Sequence, residues 1–136
     1  MPKQITNMIP GFRRSGASRC QIRAAEILPM HMRSGARMVT DVFTEPGQTG
    51  KGYASTLMHR ICQEADEARI LLVLEPKPFG HASMSQEELE VWYAVRFGFQ
   101  MIQLEPMLFA RMPGATPKVG LRLSPITQAV IEQASR

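Results

Sequence analysis

Between positions 54 and 68, Leu57, Met58, Ile61, Cys62, Ala65 and Ala68 recur every three or four residues, opposite His59, Arg60, Gln63, Glu64 and Glu67. That spacing collects one apolar stripe and predicts an amphipathic helix over 54–68. The next run, Ile70-Leu71-Leu72-Val73-Leu74, is unbroken and of strand length. Such a run suits a strand buried on both faces, and Glu75-Pro76-Lys77-Pro78 ends it. Upstream, 20–28 and 38–44 read as strands, the second carrying Val39, Val42 and Phe43, with Arg33-Ser34-Gly35-Ala36 as the turn of an antiparallel hairpin. Strand 38–44, helix 54–68 and strand 70–74 in succession predict a parallel crossover.

Ser85-Gln86-Glu87-Glu88 is a capping box and opens a second helix that runs to Phe97, where Gly98 stops it. Residues 99–104 and 107–112 read as two strands joined at Glu105-Pro106 by a hairpin or bulged bend. Ser124-Pro125 is an N-cap followed by proline, and Ile126, Val130, Ile131 and Ala134 form a short apolar stripe behind it. That last helix needs its own sheet or a second subunit to pack on, so a homodimer is one option. The first 19 residues hold Pro2, Pro10, Gly11, Ser15, Gly16 and Ser18 with few apolar side chains, and read as a basic, flexible arm. The expected plan is arm 1–19, one α/β (α+β) domain over 20–112, and an extension 113–136.

Composition narrows the class. A 136-residue chain with 44% hydrophobic and 21% charged residues can bury one core and is not wholly disordered. It has no apolar run long enough to span a bilayer and no signal-peptide core, so a cytoplasmic protein without membrane partners is expected. Cys20 and Cys62 match no metal or redox spacing and read as reduced structural thiols; no metal is called for. The net charge of +4 is concentrated at the start: Lys3, Arg13, Arg14, Arg19, Arg23, Arg33 and Arg37 face only Glu26 within the first 37 residues. Without an aromatic or glycine-rich RNA-binding signature, these arginines read as a solvated arm, and nucleic acid is an unlikely partner.

The chemistry points to Asp41-Val42-Phe43-Thr44-Glu45-Pro46-Gly47-Gln48-Thr49-Gly50-Lys51-Gly52-Tyr53-Ala54-Ser55, a strand running through a glycine-punctuated turn into a helix. Glycines let the backbone approach a phosphate, and the helix start adds unpaired N–H groups and partial positive charge. A P-loop is excluded because Lys51 is followed by Gly52 rather than a hydroxyl residue. A dinucleotide fold lacks its three glycines and downstream acid.

Pro46, Gly50, Lys51, Gly52, Tyr53 and Ala54 stand in register with a loop they resemble, the acetyl-coenzyme A loop of the Gcn5-related N-acetyltransferase superfamily. The likeness continues through the buried strand 70–74, the capped helix with Trp92-Tyr93 and the Arg96-Phe97-Gly98-Phe99 pattern, covering about residues 38–112. It implies a mixed, mostly antiparallel twisted sheet with a central parallel strand pair and flanking helices. It also implies an N-acyltransferase that moves an acetyl group from acetyl-CoA, its co-substrate, to a primary amine by direct attack. Val42 and Thr44 would pair with the pantetheine arm, and Gln48, Thr49, Gly50, Lys51, Gly52, Tyr53, Ala54 and Ser55 would hold the pyrophosphate.

Tyr93 is the candidate proton donor to the departing thiolate. The superfamily's tyrosine stands four residues before the glycine, which here is Ala94, so Tyr93 reaches the thiol only if the helix carries a bulge or its C-terminal turn is extended. Packing against Leu89 and Phe97 in the core is its other role. Asp41, Glu45, Glu75, His59 and His81 are the candidate bases, none matching a base motif. The superfamily's strand and two helices before the hairpin are largely missing, so the amine acceptor, small molecule or protein, stays open. The alternatives are a catalytically inactive protein of this fold that binds CoA or a protein partner, and a nucleic-acid accessory protein using the arginine-rich arm.

Overall fold

The computed structural model describes residues 8–77 and 84–115; His81 and the helix expected at 124–134 lie outside them. Six strands form one mixed sheet. In chain order they are β1 Gly11–Ser15, β2 Ser18–Ala24 and β3 Ala36–Thr44, then helix α1 Tyr53–Ala68, β4 Leu71–Leu74, helix α2 Gln86–Val91, β5 Gln100–Leu104 and β6 Met107–Arg111. The strand order is β1-β2-β3-β4-β6-β5. Only β3 and β4 are parallel, which is the expected crossover through α1; every other pairing is antiparallel. The class is therefore mixed α+β.

The apolar stripe of α1 does what its spacing predicts: Leu57, Met58, Ile61, Cys62 and Ala65 are all buried. They meet Cys20, Ile22, Val39, Leu72, Leu74 and Phe109 from the sheet and Leu89, Tyr93 and Phe97 from the second helical segment, so both helices contribute to one core. The opposite sheet face carries a smaller cluster of Ala25, Leu28, Ala36, Val73 and Leu108. Leu72, Val73 and Leu74 are buried whichever face they point to, in keeping with their unbroken apolar run.

Three expectations change. Residues 11–19 are not a loose arm: Gly11–Ser15 is an edge strand, joined to β2 through Gly16 (φ 57°) and Ala17, and Met8 is already buried. Arg13 holds it in place, donating to both Glu64 carboxylate oxygens on α1 at 3.0 and 2.7 Å. The turn before β3 is a 3-10 helix over Met30–Gly35, and Ala36 already belongs to the strand. Finally, the second helix is not regular to Phe97: α2 passes into a π turn over Trp92–Arg96.

Most of the N-terminal cations already have partners. Arg23 reaches Asp41, Arg33 reaches the carbonyls of Leu28 and Glu26, Arg37 reaches those of Met8 and Ala36, and Arg19 stacks over the Phe43 ring at 4.5 Å. At the other end, Arg111 is buried against Asp66, which it contacts at 2.7 and 3.1 Å, and also donates to the carbonyls of Phe97 and Ala115.

Candidate functional site

The two helices start differently. At α2 the Ser85 hydroxyl accepts from the Glu88 N–H and the Glu88 carboxylate accepts from the Ser85 N–H, with Glu87 and Glu88 facing the helix dipole. At α1 the N-cap is Gly52, no side chain caps, and the first turn holds no acid. Thr56 N–H reaches the Gly52 carbonyl, and Thr49 and Gly50 form a turn just before the uncapped helix start. Gly47, Gly50 and Gly52 have φ of 81°, 82° and 85°, the left-handed region that glycine enters without Cβ strain. The loop thus sets glycine amides at the uncapped, positive end of a helix, an arrangement suited to an anion.

These amides border an open cleft of about 480 Å³ lined by Thr44, Gln48, Gly50, Ser55, Trp92 and Arg96, among others. Among the described residues, no carboxylate lines it. Arg96, from the end of the π turn, donates to the Ser55 hydroxyl at 2.7 Å, which brings a guanidinium to the first turn of α1. Trp92 and Met84 add an apolar wall. The cleft therefore combines a cationic, amide-rich side with a greasy one, as a ligand with both a phosphate and an apolar portion requires.

A second opening lies further back along β3. The parallel pairing with β4 covers only Ala36–Val39 against Leu71–Leu74, and β3 then continues alone on that side to Thr44. Beyond Leu74 comes Glu75-Pro76, and proline offers no N–H to extend a ladder. On its other side β3 carries a bulge, since Asp41 and Val42 together oppose Cys20 of β2. Asp41 takes φ 56°, a region aspartate tolerates, with its carboxylate bonded by Arg23 and Thr40. Beyond the last pair, Val39 with Leu74, lies a cavity of about 380 Å³ lined by Val39, Asp41, Val42, Leu74, Glu75, Lys77 and Tyr93, with Met38 and Thr40.

Tyr93 is 2% exposed and packs edge-on against Trp92 and Phe99. Its hydroxyl has no hydrogen-bond partner among the described residues, and burial pushes its phenol well above the ordinary value, so it is protonated at neutral pH. It sits in the π turn Trp92–Arg96, an irregularity in the helix. Gln86 ties α2 to the end of β4 by donating to the Pro76 carbonyl at 2.7 Å.

The expected site residues thus fall into two neighbouring groups. Thr44, Gln48, Thr49, Gly50, Gly52, Tyr53, Ala54 and Ser55 line the first cleft, and Val42 and Tyr93 line the second cavity. Lys51 is exposed and lines neither. Of the candidate bases, Asp41 and Glu75 border the Tyr93 cavity, whereas Glu45 lies 3.8 Å from Arg14 and the His59 ring packs on Phe97. Arg96, Trp92 and Met84 are cleft residues that sequence reading passed over. No three histidine, cysteine or acidic residues cluster as a metal site among the described residues. No helix of the described residues is long and apolar enough to cross a membrane.

No protein-family model matches the chain, and neither curated proteins nor solved structures give a match. The functional reading therefore rests on the geometry and on the motif resemblance.

Proposed function

We propose that the chain is an acyl-CoA-dependent N-acyltransferase with the fold of the Gcn5-related N-acetyltransferase superfamily, taking acetyl-CoA and an amine. One observation carries the reading: the edge of β3, which past Val39 has no partner on the β4 side among the described residues, leads directly into a glycine turn at the uncapped start of α1. A diphosphate joined to an amide-bearing pantetheine arm asks for both features in that order. The parallel β3-α1-β4 crossover and the β5-β6 closing hairpin agree with the superfamily's succession of elements.

In this reading the amides of 49–55 and Arg96 bind phosphate, and the free β3 edge at Val42 and Thr44 pairs with the arm. The acyl end then lies in the divergence between β3 and β4, beside Tyr93. The amine nitrogen attacks the thioester carbonyl, the C–N bond forms and the C–S bond breaks. The electron pair leaves on sulfur, and the Tyr93 hydroxyl supplies its proton. The proton lost by the amine passes to water in the open cavity and restores the tyrosine.

The burial of Tyr93 among Trp92 and Phe99 favours a second reading, in which the tyrosine is a core side chain and the cleft binds CoA without turnover. Thermal denaturation with acetyl-CoA tests the shared premise. A ligand at a hundred times its Kd raises stability by about 2.7 kcal/mol, and Gly52→Val, which forces a branched residue to positive φ within the loop, should remove the shift. No shift with the native chain, or an undiminished shift with Gly52→Val, refutes the site. Thiol release with amines separates the enzyme from the non-catalytic protein.

A further inference from the structure

The charges around the Tyr93 cavity come in two pairs, each with one carboxylate and one cation. Asp41 Oδ2 lies 3.2 Å from Arg23 Nη2, and Glu75 Oε2 lies 3.5 Å from Lys77 Nζ. Asp41, Glu75 and Lys77 line the cavity directly, and Arg23 also donates to Thr40, another lining residue. Resting on the acyltransferase reading, we propose that the acceptor is a small zwitterion, an amino acid whose α-amine receives the acyl group.

A bare amine or polyamine set against Asp41 or Glu75 would displace Arg23 or Lys77 and leave a like charge beside itself. A zwitterion avoids this, because its ammonium replaces the cation of one pair while its carboxylate takes up the cation released. Arg23, Asp41 and Lys77 are each more than half exposed, and pairs of that kind contribute about 0–1 kcal/mol, so opening them for a ligand costs little. The cavity of about 380 Å³ accepts a molecule of amino-acid size whole, and its apolar wall of Met38, Val39, Val42 and Leu74 offers a surface to a side chain. The balanced outcome is an N-acyl amino acid, free CoA thiol and one released proton: the bound ammonium first gives a proton to water, the resulting amine attacks, forming the C–N bond as the C–S bond breaks, and the second proton it loses balances the one gained by sulfur.

The test measures thiol release by the full chain with acetyl-CoA, using amino acids paired with their decarboxylated amines: alanine with ethylamine, leucine with isopentylamine, lysine with cadaverine. Spermidine and an aminoglycoside represent polycations. A carboxylate recognised by a cation should raise kcat/KM by about tenfold or more over the partner amine. Lys77→Met and Arg23→Gln should each shrink that ratio, and the pair together should bring it near one, with the acetyl-CoA thermal shift retained as the check on folding and on the nucleotide cleft. The inference is overturned if decarboxylated amines or polycations are equal or better acceptors, if both variants leave the ratio unchanged, or if no amine is acylated while acetyl-CoA still shifts the melting temperature. Absence of that shift in the native chain instead removes the acyltransferase reading, and this inference with it.

Discussion

Gly16→Ala probes how the N-terminal hairpin seats on the rest of the fold. Gly16 stands at φ 57°, and a Cβ built there lies 2.3 and 2.4 Å from two ring carbons of Tyr53, the first residue of α1. Ordinary carbon contacts begin near 3.5 Å, so the ring or the turn must yield by about 1 Å. The left-handed conformation costs an alanine about 1–2 kcal/mol, and overpacking adds about 1–3 kcal/mol. Tyr53 is half-buried and can swing, which places the expected loss near the lower end, about 2–3 kcal/mol. At about 3–4 °C per kcal/mol for a chain of this length, thermal denaturation should show a fall of about 6–12 °C. Because Tyr53 opens the amide loop, acetyl-CoA binding should weaken as well. Tyr53→Ala in the same chain removes the clash and should recover about 1 kcal/mol or more in a double-mutant cycle. A Gly16→Ala chain within 0.5 kcal/mol of wild type, or a cycle with no coupling, refutes the docking of this turn on α1.

Asp66→Asn should destabilise by about 2 kcal/mol, less than the ~3–5 kcal/mol for breaking a fully buried pair, because Arg111 is 5% exposed but Asp66 is 35% exposed. Burial would raise the Asp66 carboxyl, but hydrogen bonds from Arg111 and the Gly114 N–H outweigh it and hold its pKa below the ordinary value. The stabilisation is therefore complete above the unfolded carboxyl's pKa of about 3.9 and drains away as pH falls through the lower folded value; acid denaturation curves should lose that step in the variant. Burial pushes the Cys20 and Cys62 thiols up to about 12, so an aromatic disulfide reagent at pH 8 should label neither until denaturant unfolds the chain, and prompt labelling would contradict the core placement. Tyr93→Phe should leave the melting temperature equal or higher while acyl transfer falls by about 10²–10⁴ in rate; an unchanged rate would return Tyr93 to the core alone.

Elements whose own spacing carries their structure were legible. The stripe of α1, the apolar run of β4 and the Ser85–Glu88 capping box each encode a local geometry, and each appears where expected. β1 was not, because Phe12-Arg13-Arg14 shows no apolar alternation; its inward position is taken by Arg13, whose partner Glu64 lies 51 residues away. The loop glycines were legible, since positive φ marks them out, but Arg96 and Trp92 reach the same cleft through the path of a second helix that no local spacing reveals. The π turn has no sequence signal of its own. Asp41 in the middle of an apolar strand was the one trace of the bulge that separates Val42 from the pairing pattern around it.

The unpaired groups around the two openings differ in what they cost the fold, and that difference says where chemistry belongs. Gly50, Lys51 and Gly52 are exposed, so water satisfies their amides and a phosphate need only replace water. Tyr93 is the opposite case: a buried hydroxyl without a partner among the described residues costs about 1–3 kcal/mol, and a phenylalanine would pack the same aromatic cluster without that penalty. Stability therefore does not account for the phenol oxygen, and the proposed protonation of a leaving group is the role that Tyr93→Phe tests. The bulge at Asp41-Val42 turns β3, and the proline after Glu75 ends the ladder of β4.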